Sequence, residues 1–308
     1  MHRANASVCI ALGLLACASG GGHRAALGWS LGGEAHVFVV DDRFARDLYR
    51  ELTGSAHLQD SLNERPLVAL ESRIVRGATV LSARGAAPAR LTLTRFHAPQ
   101  SCGATSVVTE LVLAFPPGSG AGHTTPPSHV TVVALLDAPP FASSTRPQGA
   151  MLPRDRTLEL VRRVAQRAQG RGTLLSTFTL DPDKAADAGE VIPVSKERYA
   201  VGFRARFLSG EDDTLLVTGV AVTDTGAHDL RWVMGPVRWR LTNGMVASGN
   251  RASRYSLRGV VAGEGNGRGS LLLVDEIADV APRDSRAAAV DAGTGRVVAA
   301  QPLALRCP

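Results

Sequence analysis

Aromatic residues make up only 5% of this 308-residue chain, and lysine is almost missing: of 34 basic residues only Lys184 and Lys196 are lysines. Nucleic-acid binders usually gather their basic residues on one face and set aromatics among them for stacking. Here the arginines are scattered along the whole chain between 28 acidic residues. The net charge of +6 therefore reads as a solvated surface, and nucleic acid is not an expected partner.

Several chemical signatures are also missing. There is no Gly-x-Ser-x-Gly elbow, no His-Glu-x-x-His, no phosphate loop and no Cys-x-x-Cys. The histidines after the first few residues (His23, His36, His57, His97, His123, His129 and His228) show neither helical i, i+4 spacing nor a His-x-His strand pair. The acid-rich stretch Asp181-Pro182-Asp183 with Asp187 and Glu190 has Ala185 and Ala186 where a calcium loop needs a ligand and a glycine. The glycine tract from Gly263 to Gly269 precedes Ser270-Leu271-Leu272-Leu273-Val274, a strand rather than the helix an anion cradle needs. No metal and no cofactor is expected.

Nor is there an uninterrupted apolar run of the roughly 20 residues that a membrane-spanning helix needs. The chain does open with one short apolar stretch, Ala6 to Leu15, behind Arg3 and followed by Ala16-Cys17-Ala18-Ser19-Gly20-Gly21-Gly22. That order is a leader for export. Leu14-Leu15-Ala16-Cys17 resembles the lipobox of bacterial lipoproteins, which implies cleavage before Cys17 and a diacylglyceryl thioether on its sulfur. Leu15 departs from the pattern, which usually has a smaller or β-branched residue there. The alternative is ordinary cleavage after Ala18, releasing a soluble secreted protein. On the lipobox reading residues 1–16 are the leader and 17–34 a flexible tether.

Cysteine is scarce, and this narrows the chemistry further. Of the four, Cys9 leaves with the leader and Cys17 is lipidated or removed, so Cys102 and Cys307 remain. Two thiols in an oxidising compartment predict one disulfide. It would close a loop of about 200 residues, worth roughly 5 kcal/mol on a chain-entropy view.

Without the leader about 285 residues remain, near the ~250–300 at which a single core stops growing. Alternation and β-branched runs dominate this mature part, with strands expected at 36–40, 67–75, 79–82, 90–95, 105–115, 129–136 and 173–180. Further strands are expected at 199–208, 214–223, 230–233, 237–242, 255–261, 270–275 and 296–300. Between 199 and 207, Tyr199, Val201, Phe203, Ala205 and Phe207 share one face with Arg204 and Arg206 opposite. Asn243-Gly244 is a type I′ hairpin turn, and 116–128 is read as a long hairpin loop. Two helices stand out: Asp42 to Leu52, with Asp42 as its cap, and Pro153 to Gln169. The fold class is mainly β, a β-rich α+β arrangement of sandwich-like antiparallel sheets with one or two helices. Residues 35–140 form a first module and 153–308 a helix plus a second, with the proline-rich 139–153 between them.

Candidate site residues are sparse. His36 opens a strand that ends at Asp41, and with Asp275 these are the candidates for an acid-histidine hydrolytic site. Trp232 and Trp239, with Arg231 and Arg238, form the densest aromatic feature; exposed on one sheet face they would stack on sugar rings and meet carboxylates. The favoured function is an exported, membrane-anchored envelope protein that binds a cell-wall glycan or an envelope protein without catalysis. The alternatives are a secreted hydrolase with a site built from distant loops, and a passive structural lipoprotein.

Overall fold

The computed structural model describes residues 24–68, 72–75, 77–116, 127, 129–137, 149–169, 172–178, 190–208, 213–242, 245–246, 253–261, 270–278 and 281–307. Cys17 and the expected leader 1–16, the acidic residues 181–187, Asn243-Gly244, residues 263–269 and most of the 139–153 segment lie outside them. The chain is mainly β and antiparallel throughout its described pairings.

The first half builds a barrel. Its strands are β1 (Arg24–Leu31), β2 (Glu34–Val40), β3 (Leu67–Val68), β4 (Ala78–Ser82), β5 (Gly85–His97), β6 (Val108–Ala114) and β7 (Val132–Leu136). The pairing order β5-β4-β7-β1-β2-β6 closes on itself because the long β5 pairs β4 through Gly85–Ala89 and β6 through Arg90–His97. Closure removes the unpaired edges that six open strands would present. β1 occupies residues 24–31 of the 17–34 segment expected to be a tether, pairing β2 on one side and β7 on the other. The 116–128 connection is not a hairpin loop either, since β6 and β7 are not neighbours.

Strict alternation divides the barrel wall. Ala35, Val37, Leu111, Leu113, Val132, Ala134 and Leu136 point inward to a core that also takes Phe44, Leu48 and Tyr49 of helix α1 (Asp42–Thr53). That helix starts at the end of β2. Asp41, not Asp42, is its cap, accepting from the Phe44 N–H at 2.8 Å, while Asp42 accepts from the Val107 N–H at 2.7 Å. Gly54 ends it in the left-handed conformation. A short helical turn, α2 (Pro99–Cys102), follows β5.

The second half starts with helix α3 (Arg154–Gln169). It continues with β8 (Thr173–Phe178), β9 (Glu190–Pro193), β10 (Tyr199–Leu208), β11 (Asp213–Thr223), β12 (Arg231–Thr242) and β13 (Met245–Val246). These form one sheet, ordered β13-β12-β11-β10, with β8 and β9 in tandem along the outer edge of β10. β14 (Ser253–Val261), β15 (Leu271–Ala278), β16 (Arg286–Asp291) and β17 (Val297–Pro302) form a four-stranded meander. The two strands expected at 230–233 and 237–242 are one strand whose register against β11 shifts near Pro236. Proline lacks a ladder donor, and that stretch of β12 has no strand on its other side among the described residues.

The layers stack through shared apolar faces. α3 buries Leu160, Val161, Val164, Ala165 and Ala168 against Tyr199, Val201, Phe203, Ala205 and Phe207 of β10. Leu272, Val274, Ala288 and Val290 of the meander pack on the other face of that sheet. Their neighbours Leu271, Leu273, Ala287 and Ala289 pack on Leu27, Leu81 and Val133 of the barrel's outer wall. The meander is thus covered on both sides, which is why Leu271–Val274 and Ala287–Val290 run apolar without alternation.

One position tests the barrel's tightness. A Cβ on Gly28 of β1 would stand 1.9 Å from the His36 carbonyl oxygen and 2.7 Å from the Val37 Cα, whereas one on Gly33 in the following turn would meet nothing within 4 Å. Backbone cannot yield as a side-chain tip can. Gly28→Ala is expected to cost about 3 kcal/mol in urea unfolding, and Gly33→Ala should leave the midpoint in place.

Candidate functional site

The barrel's outer wall carries a buried carboxylate. Glu110 lies in the middle of β6 on the outward face, flanked there by Val108 and Val112, and is 5% exposed. A buried ionised carboxylate is stable only with partners, and β-pairing delivers three of them. Arg95 is its direct neighbour on β5, and His36 and His97 stand opposite Val112 and Val108. His36 Nδ1 lies 2.9 Å from Glu110 Oε1, His97 Nε2 lies 3.1 Å from Oε2, and Arg95 Nη1 lies 3.3 Å from Oε2.

Burial by itself would push the Glu110 carboxyl up; the hydrogen bonds from His36 and His97, with the Arg95 and His36 charges, outweigh it and hold the carboxyl well below the ordinary carboxylate range. An ionised carboxylate only accepts, so each facing histidine nitrogen carries a proton. His97 is 3% exposed, and its Nδ1 has no hydrogen-bond partner among the described residues. The Trp29 ring stacks beside His36 with centroids 6.4 Å apart and an 11° tilt.

The C-terminal tail roofs this wall. Cys307 is disulfide-bonded to Cys102 at the end of α2, and Leu305 packs with Phe38, Val108 and Cys102. The Arg306 N–H donates to the Cys102 carbonyl at 3.3 Å. A ring nitrogen of His97 and both sulfurs lie within 4.8 Å of one another.

A second feature is concave. Where the β4–β5 hairpin and the start of β7 face β14 and β15, a cleft of about 310 Å³ opens. Phe115, Val130, Val261 and Leu273 line it with apolar surface, and Ser30, Ser82 and Thr131 supply hydroxyls. Arg84, His129 and Arg258 make its rim basic, and among the described residues no carboxylate lines it. Thr131 Oγ1 has no hydrogen-bond partner among the described residues. Arg84, at the hairpin turn, is exposed; Arg258 is tied through Nε to Asp275 at 2.6 Å.

The residues singled out from the sequence are dispersed. His36 belongs to the Glu110 cluster, Asp41 caps α1, and Asp275 is buried in the meander against Arg258. Trp239 is 3% exposed, and Trp232 packs with the α3 core at 5.8 Å from the Phe203 ring. Arg231 donates to the Gly293 and Ala292 carbonyls, and Arg238 donates to the Ala168 carbonyl in the last turn of α3. These four side chains thus join layers rather than form an open stacking face. Glu190 accepts from the Ser256 hydroxyl at 2.9 Å and from the Leu257 N–H, pinning β9 to the meander. Glu110, His97 and the cleft escaped sequence reading, although one acid among Val108 and Val112 on an apolar strand face is the mark of a buried ion pair.

Comparison with known proteins finds no matching family, no matching curated sequence and no matching solved structure.

The Glu110 cluster makes a prediction in pH. A carboxyl whose folded pKa lies below its ordinary value of 4.5 contributes stability in full above that value, and loses it as pH falls toward the folded pKa. Glu110→Gln is expected to cost about 3 kcal/mol at pH 7. In chemical denaturation that gap should shrink steadily below pH of about 4.5; a gap constant from pH 7 to 3 would count against a charged Glu110.

Proposed function

We infer that this chain is an exported envelope protein, held on a membrane by a diacylglyceryl thioether at Cys17, whose folded part binds an acidic cell-wall glycan without catalysis. The observation that carries the binding role is the cleft between the barrel and the meander. Its volume is at the lower bound of small-ligand sites, roughly 300–1,000 Å³. Arginine and histidine at the rim favour an anion, Ser30, Ser82 and Thr131 suit sugar hydroxyls, and the Phe115 ring suits the apolar face of a sugar. A carboxylate-bearing sugar meets all three demands.

A hydrolase needs a base and an acid sharing one reacting centre. Of the residues considered for that role, Asp41 and Asp275 are already engaged as a helix cap and an arginine partner. Binding is therefore the better supported reading.

Two experiments test it. The intact mass of the mature chain should include the diacylglyceryl group, and Cys17→Ala should move the protein from the membrane to the soluble fraction; a lipid-free chain starting at Ser19 overturns the anchor. Purified peptidoglycan should retain the full chain, and Arg84→Glu should weaken retention at least tenfold with an unchanged unfolding midpoint, since Arg84 sits exposed on a turn. No retention, or equal retention of both forms, leaves a passive structural lipoprotein.

A further inference from the structure

We propose that the Cys102–Cys307 pair is a thiol–disulfide exchange site, with His97 as the group that serves the Cys102 sulfur and Glu110 as the residue that positions His97. The proposal is independent of the cleft and of the glycan reading.

Three observations carry it. First, the two residues differ in exposure: Cys102 is 1% exposed, while Cys307, the last described residue of the tail, is half-buried. An incoming thiolate is directed to Cys307, the more exposed of the two. Second, His97 stands beside both sulfurs with its tautomer fixed, because Nε2–H donates to Glu110 and leaves Nδ1 free to accept. Third, that Nδ1 is buried without a partner among the described residues while the disulfide is intact. A buried polar atom left unpaired in one state asks which state pairs it. A disulfide has no proton to give; a thiol has one. Reduction supplies a donor beside the His97 ring, whose Nδ1 lacks one.

A thiol of an incoming dithiol loses its proton, and its sulfur attacks Cys307 Sγ. The Cys102–Cys307 bond breaks, and Cys102 Sγ departs with the bonding pair and takes a proton through His97. The dithiol's second thiolate then attacks the mixed disulfide and expels the Cys307 thiolate, which takes up the second proton. Two electrons and two protons pass to the cysteine pair, and the dithiol leaves as a disulfide. The reverse sequence oxidises the same class of partner.

The titratable and charged groups around the pair are His97, Glu110, His36 and Arg95 on the barrel wall and Arg306 on the tail. A protonated His97 beside a sulfur favours the thiolate, as neighbouring cations do for reactive cysteines. Glu110 reaches the sulfurs only through His97, so its own substitution should move the pH profile rather than abolish the chemistry.

The test uses the full chain reduced with dithiothreitol. Far-UV circular dichroism should be that of the oxidised chain; a reduced chain that unfolds makes the bridge a structural staple and overturns the proposal. In a Cys307→Ser chain with Cys9 and Cys17 also replaced by serine, thiolate absorbance near 240 nm should titrate the Cys102 sulfur with a midpoint below the ordinary thiol value of about 8.5, and adding His97→Asn should raise it. A midpoint at or above the ordinary value, or one that His97→Asn does not raise, overturns the proposal. Where His97→Asn does not fold, Glu110→Gln replaces it. The pH profile of the rate at which dithiothreitol reduces the pair should then differ between that variant and the wild-type chain, and an unchanged profile overturns the proposal.

Discussion

Everything in this molecule leans on the two-sided burial of the four-stranded meander. Leu272, Val274, Ala288 and Val290 face the helix-backed sheet, and Leu271, Leu273, Ala287 and Ala289 face the barrel. A sheet with two apolar faces is stable only when both are covered at once, because apolar surface left in water costs about 25 cal/mol per Å². That requirement makes one body of a barrel and a sandwich that share no strand. The cleft opens where β14 passes the β4–β5 hairpin.

The same stacking brings the chain's end back to its first half. β17 emerges from the meander close enough to the barrel for Leu305 to pack on Phe38 and Val108 and for Cys307 to reach Cys102, 205 residues earlier. The tail thereby covers the face on which Glu110 sits. A carboxylate on an exposed barrel wall would be solvated and ordinary. Under the tail it is forced to collect His36, His97 and Arg95, and the polar cluster and the disulfide become one neighbourhood.

How legible each part was depends on the range of the physics involved. Alternation at Tyr199–Phe207 and the four-residue spacing of Phe44, Leu48 and Leu52 are local patterns, and both elements form where those patterns lie. β1 did not announce itself. Its Gly28 and Ser30 weaken the strand signal, and only the closeness of the β2 backbone explains why a glycine must stand there. β16 was hidden in the run Ala287-Ala288-Ala289, which has too little apolar bulk to read as a strand until both faces are seen to be covered. The tryptophans were visible, but their direction was not: whether Trp232 and Trp239 face water or core depends on which side α3 packs.

Two properties are settled along the chain itself, the fold class and the cysteine pairing. Period-two patterning makes the chain β-rich and antiparallel whatever its topology, because side-chain alternation is local to each strand. Cysteine counting leaves a single pairing once the segment expected to be a leader is set aside, and Cys102 and Cys307 are bonded. Tertiary packing supplies the rest: that β5 is long enough to close a barrel, that Glu110 is buried and paired, that His97 stands beside the disulfide, and that a basic cleft opens at a layer boundary. Each of these depends on residues far apart in the chain meeting across a packed interface, and no local pattern encodes which interface will form.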